Sequence, residues 1–456
     1  MNGTICALAT APGGAIGIIR ISGDKSLEIL SRIFTKDLTK AQPNTIHYGH
    51  IVVGDAVSSH QKIIDEVLVS IFRAPHSYTG EDSAEISCHG SRYILNKVLE
   101  LLVQNGCRMA NPGEFTQRAY LNSKMDLSQA EAVADLIASS NQATHRLAMS
   151  QLRGGFSSEL SRLREQLLKL TSFLELELDF SDHEDLEFAD RSELFELSKE
   201  IDKHITKLAR SFETGQALKQ GIPVAIVGKT NVGKSTLLNA LLKDDRAIVS
   251  DVHGTTRDTI EDTIDIKGVT FRFIDTAGIR QTQDTIERIG IEHTYAAIEK
   301  AHIVLWILDE EPTASDIKVI NERCEGKTLV IIRNKIDKNE RAFSASFLAQ
   351  HPQIINISAK QGIGIDVLET AIHEAANIPV LSDNDVIVTN ARHYDALVRS
   401  HDCIQRVING LQMQLSGELL SEDLRQALIT LAEITGGQIT PNEVLGNIFK
   451  NFCVGK

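Results

Sequence analysis

Cysteine, positive charge and long apolar runs are all scarce in this chain, and each shortage excludes something. The six cysteines, at 6, 88, 107, 324, 403 and 453, form no CxxC and no paired spacing. Neither a disulfide framework nor a zinc knuckle is indicated, and a reducing cytoplasm fits. Lys+Arg number 47 against 61 Asp+Glu, a net charge of -14, which argues against broad non-specific nucleic-acid binding and leaves room only for a local basic patch. The densest apolar run, Ile303 to Leu308, is far too short to span a bilayer. Met1-Asn2-Gly3-Thr4 lacks the charged start and apolar core of a signal peptide. A soluble protein away from membranes is expected. What remains is 456 residues, 42% of them hydrophobic, enough for real cores in two to four domains.

The stretch from Gly228 through Lys229, Thr230, Asn231, Val232, Gly233, Lys234 and Ser235 to Thr236 follows the apolar run Val224 to Val227 and leads into Leu237, Leu238, Ala240 and Leu241. It reads strand, glycine loop, helix. Glycines at that spacing let backbone NH groups close round a phosphate at a helix N-terminus, where the dipole favours negative charge. Lys234 then reaches the β/γ-phosphates, and the Ser235 hydroxyl holds Mg²⁺.

Residues 4 to about 118 alternate β-type runs with turns: Ile5 to Thr10, Ile16 to Ile21, Val67 to Phe72 and Ala84 to Ser87, with a helical pattern from Tyr93 to Val103. This predicts a mixed α+β domain. Its polar clusters, Ser77 to Asp82, Cys88-His89-Gly90 and Pro112 to Arg118, match no generic chemical motif. Read alone, Glu85 and Arg20 are solvated charges, and Cys88 and His89 are core or turn residues. From an N-cap at Asp126 or Ser128 the pattern is helical to about Lys219, with Phe156, Leu160, Leu163, Leu167, Leu170 and Leu174 on one apolar stripe. The acidic cluster Asp179, Asp182, Glu184, Asp185 and Glu187 lacks an EF-hand spacing and reads as a solvated loop.

Residues of about 220 to 378 supply the parts of a nucleotide switch in order. Asp251 to Asp258 is a polar loop in which a threonine hydroxyl completes the Mg²⁺ shell. The strand Phe271 to Ile274 ends in Asp275-Thr276-Ala277-Gly278, which puts a carboxylate beside the metal and a glycine NH beside the γ-phosphate. Thr328 to Ile332 runs through Arg333 into Asn334-Lys335-Ile336-Asp337. A carboxylate at Asp337 accepts from the guanine ring NH and the adjacent amino group, a pair adenine does not offer, so GTP is selected. Ser358-Ala359-Lys360 fits the last guanine loop. Ras-type GTPases orient the attacking water with a glutamine immediately after DTAG, whereas here Ile279 follows. Asp284, Glu287 or Arg288 is then left to replace it, and on sequence alone each also reads as a surface charge.

After Ile378-Pro379 the chain returns to helix, over roughly 390–415, 421–433 and 442–449. With no sheet of their own to cover, these helices are expected to pack on those of 126–218. The fold class is therefore multidomain α/β: an α+β N-terminal domain (1–119), a discontinuous all-α domain (120–218 and 379–456), and an inserted P-loop α/β GTPase domain (219–378).

The whole chain resembles the MnmE (TrmE) family of tRNA-modification GTPases. The resemblance rests on Gly17 to Gly23 with Arg20, Ser77 to Asp82 with Glu85, Pro112 to Arg118, Leu121 to Leu127, the GTPase motifs, Ile286 to Ile291, and Phe452-Cys453-Val454-Gly455-Lys456. Thr230 stands where the family often has proline, and Ser91 where it has a second glycine.

The resemblance implies a folate-binding-like N-terminal domain that forms a homodimer. It also implies a flavoprotein partner, the FAD-dependent MnmG, in a heterotetramer, and modification of C5 of the wobble uridine in certain tRNAs with a (carboxymethyl)aminomethyl group. The one-carbon donor is a tetrahydrofolate derivative, 5-formyl- or methylene-tetrahydrofolate, bound by Arg20, Glu85, Lys124 and Lys456. Around GTP the implied set is Asn231 to Thr236, Ser250, Thr255, Thr256, Asp275 to Gly278, Asn334, Lys335, Asp337 and Ser358 to Lys360. Ser235 and Thr256 hold Mg²⁺. Asn231, Ser250, Val252 and Thr255 hold K⁺ where an arginine finger would otherwise reach. Glu287 matches the residue that orients the water. Cys453 is either a buried small side chain or a thiolate that adds to the uridine. Two other readings share parts of the pattern: a GTPase switch for ribosome assembly, and a folate one-carbon transferase that GTP only regulates.

Overall fold

Alternating apolar residues build the first sheet. The computed structural model describes residues 3–53, 62–179, 191–244, 262–274, 295–338, 343–378, 385–437, 445, 448–450, 452 and 455. Its strands Ile5–Leu8 (β1), Ile16–Ser22 (β2), Thr45–Val53 (β3), Lys62–Phe72 (β4), Ser83–His89 (β5) and Arg108–Met109 (β6) lie in the order β3-β4-β5-β2-β1-β6. Neighbours are antiparallel except β1 with β6. Ile19 and Ile21 of β2, Val67, Val69 and Ile71 of β4, and Ala84 and Ile86 of β5 are buried in one core with Leu27 and Leu30 of helix Ser26–Ile33 and Leu95 and Val98 of helix Arg92–Gln104. Successive side chains point to opposite faces of a strand. Arg20 and its cross-strand partner Glu85 are therefore set on the face away from that core. Strand β3 and the helix Ser26–Ile33 escape the sequence pattern, because β3 is an edge strand with Ile46 and Tyr48 exposed and the helix has only eight residues.

The long helices follow their stripe. Phe156, Leu160, Leu163, Leu167, Leu170 and Leu174 are all buried along helix Gly155–Asp179, and each buried leucine stabilises by about 1.5–3 kcal/mol. Helix Gly417–Thr435 packs along it, with Arg425 Nη2 3.3 Å from Glu175 Oε1. His401 Nδ1 lies 2.6 Å from Asp202 Oδ1. The later helices do return to the earlier ones. Asp126, not Ser128, caps helix Leu127–Ala138, since its Oδ1 accepts from the Gln129 NH at 2.9 Å. Of the acidic cluster, Asp182 to Glu187 lie outside the described residues. Of the helix expected at 442–449, residues 445, 448 and 449 are described, as helix.

The second sheet joins Ile222–Val227 (β7), Asp262–Ile266 (β8), Val269–Phe273 (β9), Ile303–Leu308 (β10), Thr328–Arg333 (β11) and Ile355–Asn356 (β12) in the order β12-β11-β10-β7-β9-β8. All pairs are parallel except β8 with β9. The near-continuous apolar strands β7 and β10 at its centre are what a sheet covered on both faces requires. Contacts divide the chain into two units, one of Met1–Ala138, Ala148–Thr206 and Asp395–Lys456, the other of Ser139–Leu147 and Lys207–Tyr394. The sequence reading cuts at 218/219 and 378/379. The contacts instead cut inside the helices Arg191–Gln220 and Ala391–Gln412.

The C-terminal tail is anchored in the first unit. Phe449 and Phe452 share a buried cluster with Leu127, Ala130 and Leu445. Gly113 lies beneath them with φ 68°, and a Cβ there would stand 2.8 Å from Phe452 Cβ and 2.9 Å from the Phe449 carbonyl oxygen. Gly113→Ala therefore combines a left-handed side-chain penalty of roughly 1–2 kcal/mol with a contact that only tail movement relieves. Carboxypeptidase removal of the last residues is expected to quicken roughly tenfold, the equivalent of about 1.4 kcal/mol. An unchanged digestion rate would show that Gly113 does not hold the tail.

Candidate functional site

Strand β7 is buried and lies between β9 and β10, so its C-terminal end opens at the middle of the second sheet. There the chain turns through Gly228 (φ 154°), Asn231 (φ 62°) and Gly233 (φ 103°) into helix Lys234–Asp244. A Cβ at Gly228 would stand 2.5 Å from the Ile307 carbonyl oxygen, and one at Gly233 2.3 Å from Asn334 Nδ2. Only glycine permits either approach. Lys234 Nζ donates to the carbonyl oxygens of Gly228 at 2.7 Å and Lys229 at 2.8 Å, so its ammonium sits inside the loop. Burial lowers its pKa. Val232 is buried, and Ser235 and Thr236 follow in the helix's first turn. A glycine cradle, a helix N-terminus and an enclosed ammonium fit a polyphosphate, with Ser235 at the place for its Mg²⁺.

Two further loops close on this one. Asn334, 3% exposed, uses both ends of its amide: Nδ2 donates to the Val232 carbonyl at 2.8 Å, and Oδ1 accepts from the Ala359 NH at 3.0 Å. Lys335 (φ 62°) donates to the Asn231 carbonyl at 2.6 Å and to Asp309 Oδ2 at 2.8 Å. The Ser358 hydroxyl donates to Asp337 Oδ1 at 2.7 Å. That bond, with smaller pulls from Lys338 and Lys360, holds the Asp337 carboxyl below the usual carboxylate range. The structure thus brings Asn231 to Ser235, Asn334 to Asp337 and Ser358 to Ala359 into one assembly, with the Asp337 carboxylate available to a guanine edge. Ser250, Val252, Thr255, Thr256, Asp275, Thr276, Ala277, Gly278 and Glu287 lie outside the described residues, as do Cys453 and Lys456.

A second site forms in the first unit. Arg20 Nε and Nη2 both donate to Glu85 Oε1, at 3.0 and 2.7 Å, and Nη1 donates to the Gly455 carbonyl at 3.3 Å. The rings of Tyr78 and Phe115 lie 5.5 and 5.6 Å from the guanidinium carbon, within cation–π range. Burial pushes the Tyr78 phenol up, against the Thr116 hydroxyl 2.8 Å away. Arg20, Phe72, Tyr78, Thr79, Ser83 and Glu85 line a small, partly open cleft. Aromatic walls beside a fork of donors and a carboxylate fit a flat heterocycle that donates hydrogen bonds, as a pterin does. The reading of Arg20 and Glu85 as separate solvated charges is corrected, because the β2–β5 register places them opposite each other. Cys88 is buried, its thiol pushed up to about 12 by burial and by Asp65. His89 is exposed, with Nδ1 2.6 Å from Asp65 Oδ1.

The turn that walls this cleft is held by the other clusters. Arg118, 3% exposed, donates to both oxygens of Glu81 at 3.0 and 2.9 Å and to Glu114 Oε1 at 3.0 Å. Ser22 Oγ donates to Glu81 Oε2 at 2.8 Å, and Asn122 Nδ2 to the Thr79 carbonyl at 2.7 Å. Lys124 Nζ donates to the Pro75 carbonyl at 2.9 Å, so it braces the same turn from outside the cleft lining. Sequence reasoning missed Phe115, the Gly455 carbonyl and Asp309. Phe115 and Gly455 lie in the stretches Pro112 to Arg118 and Phe452 to Lys456 that the sequence singles out, without a role of their own, and Asp309 left its own signal, an acid directly after the apolar run of β10.

Residues 4–124 match the family model for the N-terminus of the GTP-binding protein TrmE, and residues 127–453 match the model for the MnmE helical domain. The tRNA modification GTPase MnmE of Phocaeicola vulgatus is 56% identical over 493 aligned residues, which cover 99% of each chain. Its counterpart of the same name in Bacteroides thetaiotaomicron is 56% identical over 469 residues, and that of Flavobacterium psychrophilum 50% over 465, each again covering 99% of both chains.

The lowered Asp337 pKa gives a pH dependence of known sign. Guanine recognition needs the charged carboxylate, so affinity is full above its pKa and falls as pH drops through it. Ser358→Ala removes the main cause of the lowering, and the loss of affinity is expected to begin at a higher pH than in the wild type. Titration of fluorescent GDP from pH 7.5 to 4, with the fold followed by circular dichroism, tests this. Superimposable curves would show that the hydroxyl does not tune the carboxylate.

Proposed function

This chain belongs to the MnmE family of tRNA-modification GTPases, and from that membership we propose its function. It hydrolyses GTP and, with an FAD-dependent MnmG-type flavoprotein, adds a (carboxymethyl)aminomethyl group to C5 of the wobble uridine of certain tRNAs. One observation carries the reading: Arg20 bonds both Glu85 and the Gly455 carbonyl, so the two ends of the chain meet at a cleft suited to a pterin. The bound tetrahydrofolate derivative, in its 5-formyl or methylene form, supplies the one-carbon unit. Glu85 would accept from an NH donor of the pterin, and Lys456 or Arg20 would meet the carboxylates of its tail. Lys124, whose ammonium donates to the Pro75 carbonyl beside the turn that carries Tyr78, belongs to the same folate-binding set. Cys453 stands either as packing or as the thiolate that adds to the uridine.

In the nucleotide site, Mg²⁺ and K⁺ when bound would supply positive charge to the transferring phosphate. Ser235 and Thr256 would hold the first; Asn231, Ser250, Val252 and Thr255 would hold the second. On this reading Asp275 to Gly278 would serve the γ-phosphate, and Glu287 would orient the water that Ile279 cannot. The four-part division at 1–119, 120–218, 219–378 and 379–456 belongs to this reading, supported by the packing of helix Gly417–Thr435 on helix Gly155–Asp179. So does a homodimer through the N-terminal sheet, whose outer face shows Ile46, Tyr48 and its cross-strand partner Leu68 exposed. Two copies with two flavoproteins make the heterotetramer. Among the described residues no helix is long and apolar enough to cross a membrane, and Cys6, Cys88, Cys107, Cys324 and Cys403 are free thiols, which supports a cytoplasmic setting.

Mass spectrometry of tRNA nucleosides tests the whole reading. Cells lacking the gene are expected to lose the modified wobble uridine, and Arg20→Ala is expected not to restore it although its GTP hydrolysis stays near the wild-type rate. Unaltered wobble uridines in the deleted strain would refute the assignment.

The ion role has its own check. Hydrolysis is expected to run faster in K⁺ than in Na⁺, and Asn231→Ala to erase the difference. Equal wild-type rates in both salts would remove K⁺ from the site.

A further inference from the structure

We propose that Asp309 is a positioning residue for nucleotide binding, which acts by fixing the Lys335 ammonium against the P-loop; this rests on the guanine-nucleotide reading of that site. Asp309 follows directly on β10, whose six residues are all buried, so the central sheet sets the place of its carboxylate. Its Oδ2 lies 2.8 Å from Lys335 Nζ, and the same ammonium donates to the Asn231 carbonyl at 2.6 Å. Lys335 and Asn231 both hold left-handed backbone, each with φ 62°, and neither is glycine. Such conformations persist only where the surroundings over-determine them. The bridge from Asp309 through Lys335 to Asn231 supplies that restraint, and it ties the base-reading loop to the phosphate-binding loop.

A lysine stem loses rotamer freedom when it is ordered. Asp309 orders it before the nucleotide arrives, so that binding no longer has to. The side chains are 28% and 33% exposed, which limits the pair's strength to that of a partly screened bridge. The neighbouring tie from Lys229 to Asp316, 3.1 Å long, holds an ammonium that is 66% exposed. Screening makes it the weaker restraint.

The test is a double-mutant cycle on GDP affinity in the full chain, read with fluorescent GDP. Asp309→Asn is expected to weaken binding about fivefold, chiefly through faster release, with the preference for guanine over xanthine nucleotides unchanged because Asp337 sets it. Asp309→Glu, which keeps the charge, is expected to recover most of the loss. In a Lys335→Gln background, Asp309→Asn is expected to cost nothing further. Wild-type affinity in Asp309→Asn, no recovery in Asp309→Glu, or losses that add in the double variant would each overturn the proposal. A wild type with no guanine preference would instead overturn the nucleotide reading, and the proposal with it.

Discussion

The amide of Asn334 is the interaction on which the nucleotide site depends. Buried and spent at both ends, it holds the Val232 carbonyl with its nitrogen and the Ala359 NH with its oxygen. An amide so placed cannot be replaced by an apolar group without leaving two buried backbone groups unsatisfied. Gly233 must lack a Cβ because Asn334 Nδ2 occupies the space. The left-handed Asn231, the bridge from Lys335 and the seat of Asp337 against Ser358 all follow from three loops held at one distance from each other.

The cleft in the first unit obeys a different constraint. Its floor is a sheet register that puts Arg20 opposite Glu85, and its wall is a turn hydrogen-bonded to Ser22, Arg118, Asn122 and Lys124. Arg118 is nearly fully buried with two carboxylate partners, so its cost of desolvation is met only while that geometry holds. The clusters from Ser77 to Asp82 and from Pro112 to Lys124 are thus mostly scaffolding for a small exposed surface of Arg20, Tyr78 and Glu85. A chain end completes that surface through a backbone carbonyl, for which side-chain chemistry leaves no trace.

Legibility varied with the range of the interaction. The stripe from Phe156 to Leu174 was readable because burial along one helix repeats every three or four residues, and all six positions are buried. The P-loop was readable because its glycines answer a local need. Arg20 and Glu85 read alone as solvated charges, since nothing in either neighbourhood announces the other. Strand β3 was invisible because an edge strand shows solvent on part of both faces and so does not alternate cleanly.

The sequence by itself determined what short-range physics controls: where the phosphate loop bends, which helix face is apolar, and that the later helices needed the earlier ones to cover. Tertiary structure alone decided the pairings of Arg20 with Glu85 and Gly455, of Glu81 with Arg118, and of Lys335 with Asp309. The reason is that register and loop docking minimise burial and hydrogen-bond costs summed over many strands at once. That sum assigns a charged residue its partner, and no window of the sequence contains it.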